Sequence, residues 1–171
     1  MRLYSGQVAI VAQDLLKTLM EAEDLEILGE NIPEVEEDIQ SVLKEYIRLD
    51  REISDKAREA SGQRSNTSIG REKRRLAKAM GVSIVEDAVG YIIDQLIETF
   101  FHSHFVEEVF AADNDLRRKM APVLKKHMAV QEELDVEVRD KIKNLEEGSA
   151  AWDIEYQRAM GNLKRSKKLE E

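Results

Sequence analysis

Residues 8–19 read VAIVAQDLLKTL and residues 89–100 read VGYIIDQLIETF; the fold is read by setting one above the other. In the first, Val8, Val11, Ala12, Leu15, Leu16 and Leu19 recur at helical spacing and make one apolar stripe. In the second, Val89, Ile92, Ile93, Leu96, Ile97 and Phe100 do the same. An offset of 81 carries Val8 onto Val89, Leu15 onto Leu96, Leu16 onto Ile97 and Thr18 onto Thr99. Further along, without a gap, it carries Ile39 onto Met120, Val42 onto Val123, Leu43 onto Leu124 and Lys44 onto Lys125. Glu52 then falls on Glu133, Ile53 on Leu134 and Arg58 on Arg139. A shared register across two helices and their connection points to a tandem duplication.

Each copy repeats one helical grammar. In the first, Asn31 and Pro33 signal a helix start, and Glu34, Glu36, Glu37 and Asp38 favour an N-terminus by complementing the helix dipole. A long helix to about Ala60 is expected, with Val35, Ile39, Val42, Leu43, Tyr46, Ile53 and Ala57 inward. Ser61–Gly70 reads as a loop, Arg71–Met80 as a short basic helix, and Gly81 as its C-cap. Ser83 and Glu86 have capping-box spacing and are expected to open the second copy. Asp113–Asp115 start its long helix, which carries Leu116, Met120, Val123, Leu124, Val130, Leu134, Val138 and Ile142 and could extend to Leu145. After a break at Glu147–Ser149, a last helix is expected near Asp153, with Trp152 as an anchor.

The expected fold class is therefore all-α: a tandem pseudo-repeat of two three-helix units packed into one helical assembly. The first unit takes residues 1–81, and the second takes 82–171 with a basic, frayed C-terminal tail at Lys164, Arg165, Lys167 and Lys168. Charged residues at 36% with eight Gly and two Pro suit long helices with solvated outer faces. A small unit with one broad apolar side buries little alone, so the copies are expected to complete each other's core.

Composition also narrows function. The chain has no Cys, which removes disulfides, thiolate metal sites and cysteine nucleophiles. No apolar run reaches the roughly 18 residues a membrane span needs, and the N-terminus lacks the apolar stretch of a signal peptide. A cytoplasmic protein without an integral membrane segment is expected. No glycine-rich phosphate loop occurs, and no cofactor is expected. His102 and His104, near Glu98, Glu107 and Glu108, are the one cluster to test for metal, although residues two apart diverge on a helix. Solvated histidines are the favoured reading, and His127, matching Tyr46, reads as partly buried. No pair among the 35 acidic residues stands out for acid–base work, so a non-enzymatic protein is expected.

Charge asymmetry is the strongest functional lead. The formal net charge is −9, yet residues 61–80 hold Arg64, Arg71, Lys73, Arg74, Arg75 and Lys78 against one acid, Glu72. The candidate partner- or phosphate-contacting residues are Arg71, Lys73, Arg74, Arg75 and Lys78. Without interleaved aromatics, this helix suits electrostatic docking within the fold or on a protein partner better than single-strand stacking. Nucleic acid is the alternative.

Met1-Arg2-Leu3, a first helix leading into an acidic second one, Leu76–Gly81 and Glu137-Val138-Arg139 give the chain a family likeness. It resembles the bacterial domain-of-unknown-function 507 family, as a two-copy member. Val82-Ser83-Ile84 lacks the Arg of the opening, and Gly161–Arg165 is only loosely similar to the closing segment. The resemblance implies a bacterial, cytosolic, helical protein and brings no activity with it.

Overall fold

The computed structural model describes residues 1–62 and 66–170. Its order is α1 (Val8–Glu21), β1 (Leu25–Glu26), α2 (Ile32–Ser61), α3 (Asn66–Ala79), α4 (Ala88–His102), β2 (Glu108–Val109), α5 (Asp113–Met128), α6 (Val130–Lys141) and α7 (Ala150–Ser166). The chain is all-α apart from the β1–β2 ribbon, and it divides into two compact units. One comprises Val8–Leu124; the other joins Met1–Gln7 to Lys125–Glu171. Each draws on residues from both sides of residue 81.

In the larger unit α1 buries Val8, Val11, Ala12, Leu15, Leu16 and Leu19, and α4 buries Val89, Ile92, Ile93, Leu96, Ile97 and Phe100. These are the two stripes of the sequence, residue for residue. Even a polar detail recurs, with Thr18 Oγ1 donating to the Asp14 carbonyl and Thr99 Oγ1 to that of Gln95, both at 2.8 Å. Helix α2 packs on α1, α3 and α4, so elements from both halves share this core. Its buried Val35, Ile39, Leu43, Ile53 and Ala57 have buried partners 81 residues later in Leu116, Met120, Leu124, Leu134 and Val138. Ile47 is buried too, which the sequence reading omitted, while Val42 is only half-buried. Gly62 closes α2 in the left-handed region, its N–H donating to the Arg58 and Glu59 carbonyls.

Three boundaries differ from expectation. The loop of residues 61–70 is helical from Asn66, because α3 lies along α2 and that packing overrides the weak propensity of Asn66–Gly70. Residues 63–65 lie outside the described part. Ser83 does not cap α4; the cap is Asp87, whose carboxylate accepts from the Gly90 N–H at 2.9 Å. Gly81 does end its helix as expected, at φ +69° with Val82 N–H donating to the Ala77 carbonyl.

The third difference lies in the smaller unit, where the second long helix is broken at Ala129. Gln7 Nε2 donates to the His127 carbonyl at 2.9 Å, and Arg2 N–H to that of Met128 at 3.1 Å. The N-terminal segment thus occupies carbonyls at the break, and the Glu132 amide turns to Ala129 instead. Helices α6 and α7 then form a hairpin around Tyr4, Leu134, Val138, Ile142, Met160, Leu163 and Leu169. Helix α7 begins at Ala150, capped by Ser149 accepting from the Trp152 N–H at 3.2 Å. Trp152 stacks on Tyr156 at 5.0 Å beside this core, as an anchor. The C-terminus is not a frayed tail, since Leu169 is buried and its carbonyl accepts from Gly6 N–H at 2.8 Å. Lys164 lies over the Tyr4 ring, and Lys167 reaches Glu137 at 3.4 Å.

Candidate functional site

Helix α3 sorts its cations by the helical period. Arg71, Arg74 and Lys78, spaced three and four apart, are exposed on one face, and none is in an ion pair among the described residues. Lys73 is turned toward α2 and lies 3.6 Å from Asp50. Arg75 is held by Glu72, with Nε 2.8 Å from the carboxylate. That hydrogen bond keeps the Glu72 carboxyl below its usual range. The five basic residues singled out in the sequence thus divide into three free cations and two engaged ones. Arg74 and Lys78 flank a cleft over Ala77 that continues past Gly81 to Val82, Ser83, Val85 and Glu86. The buried edge of α3 is thin: Ala77 is buried, Leu76 half-buried and Met80 exposed.

The histidines do not converge on a metal site in this arrangement. His102 ends α4 with Nδ1 2.8 Å from the Glu98 carbonyl, and His104 is exposed in the following turn. Among the described residues, no group of three His, Asp or Glu side chains is placed to hold a metal ion. His127 is half-buried, as its match to Tyr46 suggests.

A groove between α2 and α4 is lined by Asp38, Ser41, Glu45, Tyr91, Gln95 and Thr99. Its carboxylates already have partners. Asp38 accepts from Ser103 Oγ at 3.0 Å, and Glu45 holds Arg48 at 2.7 Å, a bond that depresses the Glu45 pKa. Hydrogen-bond donors beside them likewise hold the carboxyls of Glu52, Glu72, Glu132, Asp135 and Glu137 below their usual range.

A different surface went unnoticed in the sequence. Phe101 is 60% exposed at the end of α4, and Phe110 is 59% exposed just after β2. Phe110 N–H donates to the Asp24 carbonyl at 2.8 Å, which fixes it beside β1. There it shares a cleft with Met20, Leu25 and Ile27, rimmed by Glu23 and Glu26. The available signal was an aromatic in the polar connection after α4, outside either helical stripe.

Compared with known protein families, the chain matches, over residues 1–169, the one described as protein of unknown function (DUF507). No curated protein matches it.

Proposed function

The chain belongs to the DUF507 family, and from that premise and its own surfaces we propose that it is a non-enzymatic protein-interaction or scaffold protein of the bacterial cytoplasm. The observation that carries this reading is the outer face of α3, where Arg71, Arg74 and Lys78 stand exposed and unpaired among the described residues. Elsewhere the exposed helices satisfy many of their charges internally, as in the Glu45–Arg48–Glu52–Lys56 ladder. A cationic face left unsatisfied suits an acidic protein surface. The overall charge of −9 and the lack of aromatics along this face weigh against nucleic acid as the main partner. Among the described residues no helix is long and apolar enough to cross a membrane. The duplicated pattern belongs to the same proposal: one ancestral unit, copied, makes a core that displays two sets of outer surfaces.

The test is affinity purification of the tagged chain from its host, with and without nuclease, beside an Arg71→Gln/Arg74→Gln/Lys78→Gln variant. A defined protein that survives nuclease and is lost with the variant supports the proposal. The second reading, a nucleic-acid-associated protein, rests on the same three cations, whose spacing on one exposed face also suits phosphates. It requires partners that vanish with nuclease, and a DNA or RNA affinity falling with log salt at a slope of roughly −0.9 per phosphate met.

A further inference from the structure

We infer that the cleft over the β1–β2 ribbon docks a cationic segment of a partner protein that carries an apolar anchor residue. This goes beyond the α3 reading; it shares with it only the premise that the chain is a binding protein, and it uses a separate surface.

The cleft joins two features that a protein left alone in water gains nothing by displaying. Leu25 and Ile27 are buried and form its floor, while Phe110 stands 59% exposed beside them with Met20. Covering a ring of that size is worth about 25 cal/mol per Å² of apolar surface removed from water. Around it the charge is of one sign. Glu23 and Glu26 stand on the cleft rim, Glu26 faces Glu108 directly across the ribbon, and Glu107 precedes Glu108 in the chain. Like charges directly opposed on a ribbon are destabilising. Among the described residues none of these four carboxylates is in an ion pair. The nearby cation is already committed: Lys119 Nζ lies 2.7 Å from both oxygens of Asp24, which is buried. The ribbon therefore lacks positive charge that the rest of its unit does not supply.

Glu23 adds a second line. It ends α1 at φ +56°, with Glu23 N–H donating to Met20 and Asp24 N–H to Leu19. Glycine is the unstrained residue for that position. A side chain there costs stability, and this one places its charge on the cleft rim.

The chemistry of the occupant follows from the lining. Glu23 and Glu26 in that lining, with Glu108 opposed to Glu26 on the partner strand, repel nucleic acid, anionic bilayers and acidic peptides. A bare cation or polyamine would answer the charge and leave Phe110 wet. A segment pairing Arg or Lys with an aliphatic or aromatic side chain answers both, with the anchor against Phe110 and the cations at Glu23 and Glu26.

The test uses the full chain and a fluorescently labelled peptide of alternating arginine and leucine, read by anisotropy at physiological salt. Two controls replace arginine by glutamate and leucine by serine. The arginine–leucine peptide is expected to bind, the serine version about tenfold more weakly, and the glutamate version not at all. Glu23→Gly and Phe110→Ser are each expected to weaken binding about tenfold. Because Gly fits the left-handed position, E23G should melt no lower than wild type, so its lost binding is not lost folding. The Arg71→Gln/Arg74→Gln/Lys78→Gln variant should bind the peptide unchanged, which separates this surface from the α3 reading. The inference is overturned if E23G and F110S bind like wild type, or if the serine peptide binds equally and reveals bulk charge attraction. It is equally overturned if the peptide fails to bind and the chain instead self-associates through Phe110, making a second copy the occupant.

Discussion

Gly6 sits where only a hydrogen atom fits. A Cβ there would overlap the Lys168 carbonyl oxygen and come within 2.8 Å of the Leu169 carbonyl carbon. Both obstacles are backbone, so neither swings aside. Gly6→Ala is expected to cost about 1–3 kcal/mol, read by urea unfolding through Trp152, the single tryptophan, which lies in the same unit. A second residue-scale prediction concerns Tyr156, whose hydroxyl donates to Asp135 at 2.5 Å. Burial first, then the Asp135 carboxylate, pushes the phenol up to about 12. The same hydrogen bond is the main cause that lowers the Asp135 carboxyl, with Arg139 adding to it. The signs are opposite. The stability that Tyr156 contributes is complete below its unfolded pKa of about 10 and is lost as pH rises to about 12. That from Asp135 is present above about 3.9 and is lost as pH falls through its lowered value. Tyr156→Phe should therefore cost about 1 kcal/mol near neutral pH, allowing for partial solvent screening. Its difference from wild type should shrink toward both extremes in chemical denaturation run across pH.

At the scale of elements, the break between α5 and α6 turns on one buried amide. Gln7 is 5% exposed; its Oε1 accepts from the Tyr4 N–H at 3.0 Å while its Nε2 serves the His127 carbonyl. Gln7→Ala strands the Tyr4 N–H and should cost about 1–3 kcal/mol. The Tyr4 amide should exchange faster with solvent in the variant, while amides of α1 and α4 keep their protection. This break also shows where sequence pattern stops being informative. The 3.6-residue period of Val8–Leu19 and Val89–Phe100 depends only on each helix having one wet and one dry side, so it was readable. The dry side of residues 116–142 is equally continuous through Ala129, and the helix breaks where the distant Gln7 side-chain amide and Arg2 backbone N–H take its carbonyls. The start of α3 at Asn66 was hidden for the same reason, as α2 supplies stabilisation that Asn66–Gly70 lacks locally. The basic residues of α3 were legible as a composition. Their division into free Arg71, Arg74 and Lys78 and engaged Lys73 and Arg75 depended on where Asp50 and Glu72 lie. The Phe110 cleft was not legible, because it is made by a pairing of Leu25 with the distant Val109.

For the whole molecule, the 81-residue offset and the two compact units describe different things. The offset relates buried positions, and it runs from Val8 and Val89 through Ala57 and Val138 to Ser61 and Ile142. The units describe what packs, and each draws on both halves of the sequence. In the larger one, α2 lies on α4, β1 pairs with β2, and buried Asp24 is neutralised by Lys119. In the smaller one, Tyr4 enters the core that α6 and α7 build, and Arg2 reaches the Met128 carbonyl. A cut after Gly81 severs all of these together. It uncovers the α2 face that meets α4, removes the strand partner of Leu25 and leaves a buried carboxylate without its cation. Fragment 1–81 is therefore expected to lack cooperative unfolding as a monomer. Sedimentation should show it associating, or hydrophobic dye binding should show it expanded, with a shallower urea slope than a packed domain of its length. A fragment that is monomeric, dye-silent and sharply cooperative would mean that each half carries its own core. The contacts joining α2 to α4 and β1 to β2 would then be additions to two folded units rather than the means by which either one folds.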